Sequence, residues 1–478
     1  MPFKLVILWT DALVFLLVAA VVAFVLHVRR HEHLAAPWRK VARDPSGMAA
    51  GTVLALFVLI GLADSVHYRP AIGAKDGSTI YTVEVLSLLD MATAALRAKR
   101  EKTYSAPLAT HLYSKETVMR ADGREAREYP RLRHGGSHLE NPETDLAPDV
   151  SRRALWGFAA GLVAWLVLAL LACAVVARRA GQAMEAAWRA IWQGETEIPW
   201  RAVLIALGIV IAVGAPLLAL AAKYHVLGTD KVGQDVLYQA LKSIRTGLVI
   251  GTLTTLVMLP FALLLGVTAG YFKGWVDDVI QYLYTTLSSI PGVLLIAAAV
   301  LMMQVYIETH PELFDTVTAR ADLRLLFLCV ILGITSWTGL ARLLRGEALK
   351  LREMEYIQAA HAFGVSHWRI LTRHLLPNVM HIVLIAVVMD FSGLVLAEAV
   401  LSYVGVGVDP TTISFGTMIN SARLEMAREP MVWWSLAAAF CFMLVMVLSA
   451  NLFADAVRDA FDPRVRAARP FRPAAIKA

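Results

Sequence analysis

The residue sets that usually announce bond-making chemistry are missing from this chain. It has no GxxxxGK[ST] phosphate loop, no HExxH pair, no GxSxG nucleophile and no Cys and His cluster at zinc spacing. Cys173, Cys329 and Cys441 are far apart and each lies inside an apolar run, where a thiol packs. His27 and His31 have the i, i+4 spacing of a helical ligand pair, with His33 beside them, but they follow directly on an apolar run, where interfacial histidines are common. The chain therefore reads as no enzyme, with no catalytic residue, no metal and no cofactor of its own. Any energy it uses must come from elsewhere.

What remains are polar residues set in apolar surroundings. Asp390 and Glu398 share one long apolar run, about 20 and about 31 Å from Pro377 at ~1.5 Å per helical residue. A charge at mid-bilayer costs roughly 2.5–3.5 kcal/mol on insertion scales. Asp390 must then face a partner or a wet cavity, or be protonated, and pathway lining and a structural helix–helix bond are both open to it. Glu398 lies nearer the outer surface, as a pathway group or as an interfacial carboxylate capping loop backbone. Ser288, Ser289 and Pro291 interrupt another apolar run. A proline there frees a carbonyl that hydroxyls or a neighbouring helix can satisfy, a local weakness suited to a gate. Pro260 raises the same choice in its own run and reads as an ordinary kink.

The elements that hold these residues are membrane helices. Of 478 residues 58% are hydrophobic and only 17% charged, and mean hydropathy is +0.59, which excludes a single soluble globule. Apolar windows near 9–28, 48–65, 154–177, 202–222, 247–270, 278–306, 324–343, 378–402 and 432–452 approach or exceed the ~20 residues that span a bilayer. The fold class is an all-α polytopic membrane protein. A net charge of +7 could suggest nucleic acid, but the basic residues sit mainly in short loops beside apolar runs, where they orient helices. Arg29, Arg30, Arg39, Lys40 and Arg43, then Arg178, Arg179 and Arg189, then Arg464, Arg466, Arg469 and Arg472 mark the cytoplasmic side. Nine spans then place the N-terminus outside and the C-terminus in the cytoplasm.

The first run ends at Arg29-Arg30 with no small-residue cleavage pattern, so it reads as a reverse signal anchor. The expected organisation is two spans over 1–65, a small external domain over 66–150, a third span with a cytoplasmic linker over 151–200, a core over 201–465 and a basic tail over 466–478. In the external domain Tyr81 to Arg100 suggests a strand leading into an amphipathic helix, and Ala121-Asp122-Gly123 a turn. That domain either docks a charged partner or supports the bundle from outside.

One polar segment between the seventh and eighth spans is too patterned to be a tether. Over 351–378, Glu355 to Phe363 can form a short helix, Gly364 can end it in the left-handed conformation, Ser366 can cap a second helix and Pro377 suits the first turn of the next span. The small pair Ala359-Ala360 allows another surface to approach closely. This stretch resembles the EAA loop of permease subunits of ATP-binding cassette importers: Gln358-Ala359-Ala360, Gly364 and Leu376-Pro377 fall in its register, with Gln358 and His374 where the pattern has Glu and Ile. Leu227-Gly-Thr-Asp-Lys-Val-Gly-Gln-Asp-Val236, Gly270-Tyr-Phe-Lys-Gly-Trp-Val-Asp277, Ala397-Glu-Ala-Val-Leu-Ser-Tyr-Val-Gly-Val-Gly407 and Ala456-Val-Arg-Asp-Ala-Phe-Asp-Pro-Arg464 are similar, in order, to segments of the C-type dipeptide, oligopeptide and nickel permeases.

The resemblance covers roughly residues 200 to 465 and leaves residues 1 to about 200 outside it. It implies a type I six-helix importer core in the bacterial inner membrane, preceded here by about three extra spans. It implies a path for peptides or similar small polar solutes, with nickel, an opine or a modified peptide as other solutes of the same fold. It further implies a homologous permease partner, two ATPase subunits carrying ATP and Mg, and a periplasmic solute-binding protein. Gln358, Ala359, Ala360, Gly364, His367 and Pro377 would belong to the ATPase-coupling segment. A sensor or scaffold that has lost transport is the rival from another class.

Overall fold

The computed structural model describes residues 3–75, 78–119, 125–310, 312 and 316–461. The turn expected at Ala121-Asp122-Gly123 and the basic tail 466–478 lie outside the described residues. Among the described residues nine helices are long and apolar enough to cross a membrane. The chain is an all-α polytopic membrane protein with two small sheets.

A short strand β1 (Phe3–Val6) leads into α1 (Trp9–Arg30), an interfacial helix α2 (Glu32–Val41) and α3 (Pro45–Asp64). Asp44 starts α3 by accepting from the Gly47 N–H at 2.6 Å, with Pro45 in the first turn. Beyond α3 come β2 (His67–Lys75), β3 (Ser78–Tyr81), β4 (Leu86–Ser87), α4 (Leu88–Ala92), α5 (Ala94–Ala98) and the hairpin β5 (Glu116–Met119) and β6 (Glu125–Glu128). β1 pairs antiparallel with β2, Val6 opposite His67, so the chain before α1 and the chain after α3 meet at one end of the bundle. The helix expected within Tyr81 to Arg100 is two five-residue helices, because Ser87 and Asp90 close a capping box on α4 and the chain turns again at Thr93.

The third span, α6 (Pro142–Ala180), is followed by α7 (Met184–Gln193) and α8 (Trp200–Ala221). α6 packs closely on α8: a Cβ on Gly157 would lie 2.8 Å from the Ala219 Cβ, and one on Gly161 2.8 Å from the Ala215 Cβ. Then follow α9 (Val236–Phe272), α10 (Gly274–Ser289), α11 (Gly292–Thr309), α12 (Val317–Ser336), α13 (Thr338–Arg352), α14 (Glu355–Ala362), α15 (His367–Ile370), a π-helical turn (Leu371–Leu375), α16 (Leu376–Val404), α17 (Phe415–Glu425) and α18 (Trp434–Phe461). α9 is the central post; Ile250, Leu253, Met258 and Ala262 on it are fully buried.

The expected sixth span over 278–306 is broken in two. Pro291 has no N–H to continue the helix, Ile290 is extended, and Ser289 Oγ donates back to the Thr286 carbonyl at 2.7 Å. Only α11 of the pair is long and apolar enough to span. Conversely α12 and α13 run on as one 36-residue helical stretch, and α15 to α16 as one of 38, each containing an apolar window long enough to span.

Candidate functional site

The segment 351–378 folds as two short helices around a tight turn. Its inward anchors are Ile357 and Ile370, both fully buried against a cluster that includes Leu344, Ala348 and Leu375. With those two side chains turned in, Gln358, Ala359, His361 and Phe363 are left exposed, Phe363 at 87%. Ala360 is half-buried against the same cluster. Gly364 joins the helices at φ +70 with open space around it, a backbone conformation that costs most other residues roughly 1–2 kcal/mol. Gln358 donates from its amide to the Glu353 carbonyl at 3.2 Å, a bond that a glutamate at this position could not make. Pro377 occupies the first turn of α16, exposed, and His367 opens α15.

Both histidines of the turn point to one hydroxyl. Tyr271, the penultimate residue of α9 and only 2% exposed, has its OH within hydrogen-bond distance of both rings, 2.9 Å from His361 Nε2 and 2.8 Å from His367 Nδ1. Arg352 Nη1 donates to the Tyr271 carbonyl at 2.8 Å. Beside it Arg345 grips Asp277 with two N–H groups at 2.6 and 2.7 Å, and this pair holds the Asp277 carboxyl below its usual range.

The residues expected along a pathway are not gathered in one place. Ser288, Ser289 and Pro291 are exposed at the break between α10 and α11. Asp390 is half-buried in α16, and among the described residues no hydrogen-bond or ion-pair partner reaches it. Glu398 is 1% exposed; its Oε1 accepts from Ser402 Oγ at 2.7 Å and Ser414 Oγ at 2.8 Å, and the Gly416 backbone N–H also donates to the carboxylate. It thereby ties α16 to the start of α17.

A denser polar construction, unforeseen from sequence, lies at the sheet-bearing end of α9. Arg245, buried, donates to Asp11 Oδ1 at 2.6 Å, Thr10 Oγ1 at 3.0 Å and Ser65 Oγ at 3.2 Å. Asp11 also meets His67 Nδ1 at 2.7 Å, and Thr10 donates through both its N–H and its hydroxyl to Asp322. One turn away Lys242 Nζ donates to Asp64 at 2.8 Å and Asp90 at 2.9 Å, and Tyr238 OH to Asp90 at 2.7 Å. Burial opposes ionisation of Asp90, yet Lys242 and the Ser87 N–H hold its carboxyl below the usual range. Lys242 and Arg245 sit just before the 247–270 window; their i, i+3 spacing, with Asp11 and Asp64 at the edges of two other runs, is the signal that could have exposed the pairing.

The loop 227–236 is held in the same way. Buried Glu101 accepts backbone N–H bonds from Arg133, His134 and Gly135 at 2.9, 2.8 and 3.1 Å and lies 3.4 Å from His225 Nε2, while His225 Nδ1 meets Asp235 at 2.8 Å. Burial works against the Glu101 charge, but His225 and the three N–H groups bring its pKa down to about 2. Gly233 at φ +73 is required because a Cβ there would strike the Glu101 carbonyl.

Residues 262–467 match the family model described as binding-protein-dependent transport system inner membrane component. The chain is 33% identical over 245 residues to the oligopeptide transport system permease protein OppC of Mycobacterium tuberculosis, covering 51% of this chain and 78% of that one. It is 32% identical over 244 residues to the glutathione transport system permease protein GsiD of Pectobacterium atrosepticum, 51% and 73% of the two chains. With the peptidoglycan transport system permease protein YejE of Agrobacterium fabrum it shares 33% over 243 residues, 50% of this chain and 57% of that one. These matches leave about half of the chain unaccounted for, but over the part they share the assignment is direct: the chain belongs to the binding-protein-dependent transport system inner membrane components, as a permease subunit of the peptide-type ATP-binding cassette importers.

Proposed function

We propose that the chain forms one side of a translocation path for peptides or similar small polar solutes, and that residues 351–378 receive the movement of separate ATPase subunits. The observation that supports this best is the division of that segment: Ile357 and Ile370 are buried anchors, while Gln358, Ala359 and Phe363 are presented outward beside a left-handed Gly364. In this reading Gln358, Ala359 and Gly364 meet the ATPase, Ala360 gives the close approach, and His367 and Pro377 set the direction of the return helix. The partners are a homologous permease, two ATPase subunits holding ATP and Mg, a solute-binding protein and membrane lipid.

In the same reading residues 201–465 are the six-helix importer core, 1–65 and 151–200 supply three added spans, and 66–150 is a periplasmic domain. The basic residues on the α2 side of the bundle favour a cytoplasmic face there, with the N-terminus outside and the C-terminus inside the bacterial inner membrane. Asp390 is the strongest pathway candidate, since among the described residues no partner reaches it within its long apolar helix. Ser288, Ser289 and Pro291 form a hinge at the α10–α11 break, and Glu398 anchors the outer loop behind the path. Reconstituting the tagged chain with its co-purified subunits and measuring ATP-dependent uptake of a defined peptide library tests the reading. Uptake abolished by Ala359→Arg is expected; ATP-dependent uptake unaffected by that change would overturn it.

A further inference from the structure

α9 joins two constructions that lie at opposite ends of the bundle. Its 37 residues span about 55 Å at ~1.5 Å per residue. Arg245 near one end is bonded to Asp11 and Lys242 to Asp64 and Asp90, so the residues outside the importer core are fastened to this helix. Tyr271 at the other end lies 26 positions on, about 39 Å along the axis, more than the ~30 Å of a hydrocarbon core.

Tyr271 touches the coupling segment at three points spread along the chain. Its carbonyl holds Arg352 at the end of α13, and its hydroxyl holds His361 at the end of α14 and His367 at the start of α15. The two histidines stand three residues either side of Gly364, and their rings lie 5.0 Å apart. Nothing crowds Gly364 itself, so beyond the buried anchors Ile357 and Ile370 the angle of the turn is set by that hydroxyl. A Phe at 271 would keep the buried ring and the Arg352 contact and lose only the clamp on the turn.

We propose that Tyr271 is a positioning residue of the coupling step: its hydroxyl fixes the α14–α15 turn to α9, so that displacement of α14 by an ATPase subunit moves α9 and, through Lys242 and Arg245, the domain at its far end. This rests on the coupling role proposed above for 351–378. In that reading the loop receives the ATPase, and Tyr271 supplies the route by which its movement leaves the loop.

The test uses the full complex purified in gentle detergent, trapped with ATP and vanadate, and read by hydrogen exchange. In the wild-type complex exchange should change at both 355–367 and 227–246. Tyr271→Phe should keep thermal stability, ATPase-subunit co-purification and the change at 355–367, while the change at 227–246 falls at least fivefold. His361→Gln and His367→Gln, which each leave one bond to the hydroxyl, should give intermediate values. An undiminished change at 227–246 in Tyr271→Phe, or no change there in the wild type, overturns the proposal and leaves the coupling role standing. Absence of any ATPase subunit from the wild-type complex overturns both.

Discussion

Arg245 on the fifth span and Asp11 on the first are 2.6 Å apart, both buried, although 234 positions separate them in the chain. The pair joins the first span to α9, the helix that runs on into the family match beginning at residue 262. Removing one buried partner and leaving the other charged costs about 3–5 kcal/mol. Asp11→Ala should therefore lower stability by that order, and Arg245→Met in the same chain should recover most of the loss. Thermal unfolding in detergent across the double-mutant cycle measures it, and additive losses would show that the two residues do not act as a pair.

Docking of the loop 227–236 onto Glu101 should depend on pH at two edges. The folded pKa of Glu101 is about 2, below its ordinary 4.5, so its contribution is present above pH 4.5 and is lost as pH falls from there toward 2. His225 shifts the other way: burial opposes its charge, but Asp235 and Glu101 raise its pKa, so its contribution is full below pH 6.5 and is lost as pH rises through the raised value. Stability should peak between the edges, with Glu101→Gln removing the acid edge and His225→Gln the alkaline one. A pH series of melting temperatures reads both.

Glu398 and Asp390 are carboxylates on one helix with opposite expectations. Glu398→Ala leaves the Ser402 and Ser414 hydroxyls and the Gly416 N–H without their acceptor, at a cost of about 1–3 kcal/mol. Asp390→Asn breaks no bond among the described residues and should change stability by less than about 0.5 kcal/mol while lowering transport at least tenfold. Equal stability losses in the two variants would count against this division.

In residues 351–378, Ala359→Arg puts a long cation on the exposed face, whereas Ala360→Arg also disturbs the chain's own half-buried packing. The first should abolish ATPase association with little effect on melting; the second should do both. Gly364→Pro cannot adopt φ +70 and should also block association.

Much of this was legible in the sequence because the bilayer imposes it. Apolar length located nine helices among the described residues, and Gly364 and Pro377 marked the elements of 351–378 at nearly the positions found, while Ser366 precedes α15 without its side chain capping it. In the sixth window Pro291 was legible as an interruption, but hydropathy alone does not show that α10 ends before it and that of the two only α11 is long and apolar enough to span. The polar networks stayed hidden for a different reason: Lys242, Arg245, Asp64 and Glu101 carry no local signature, and their pairing depends on which helices the bundle brings together. Tyr271 was likewise quoted within a family segment, but its reach to His361 and His367 is a matter of tertiary distance.

The central claim is that 351–378 engages a separate ATPase, and the most direct measurement is co-purification of the tagged chain in gentle detergent, with mass spectrometry of what accompanies it. Recovery of an ATP-binding cassette ATPase and a second permease with the wild type, and loss of the ATPase with Ala359→Arg at unchanged melting temperature, is the predicted result. Recovery of the folded chain alone, under conditions that keep a control importer assembled, would contradict the account.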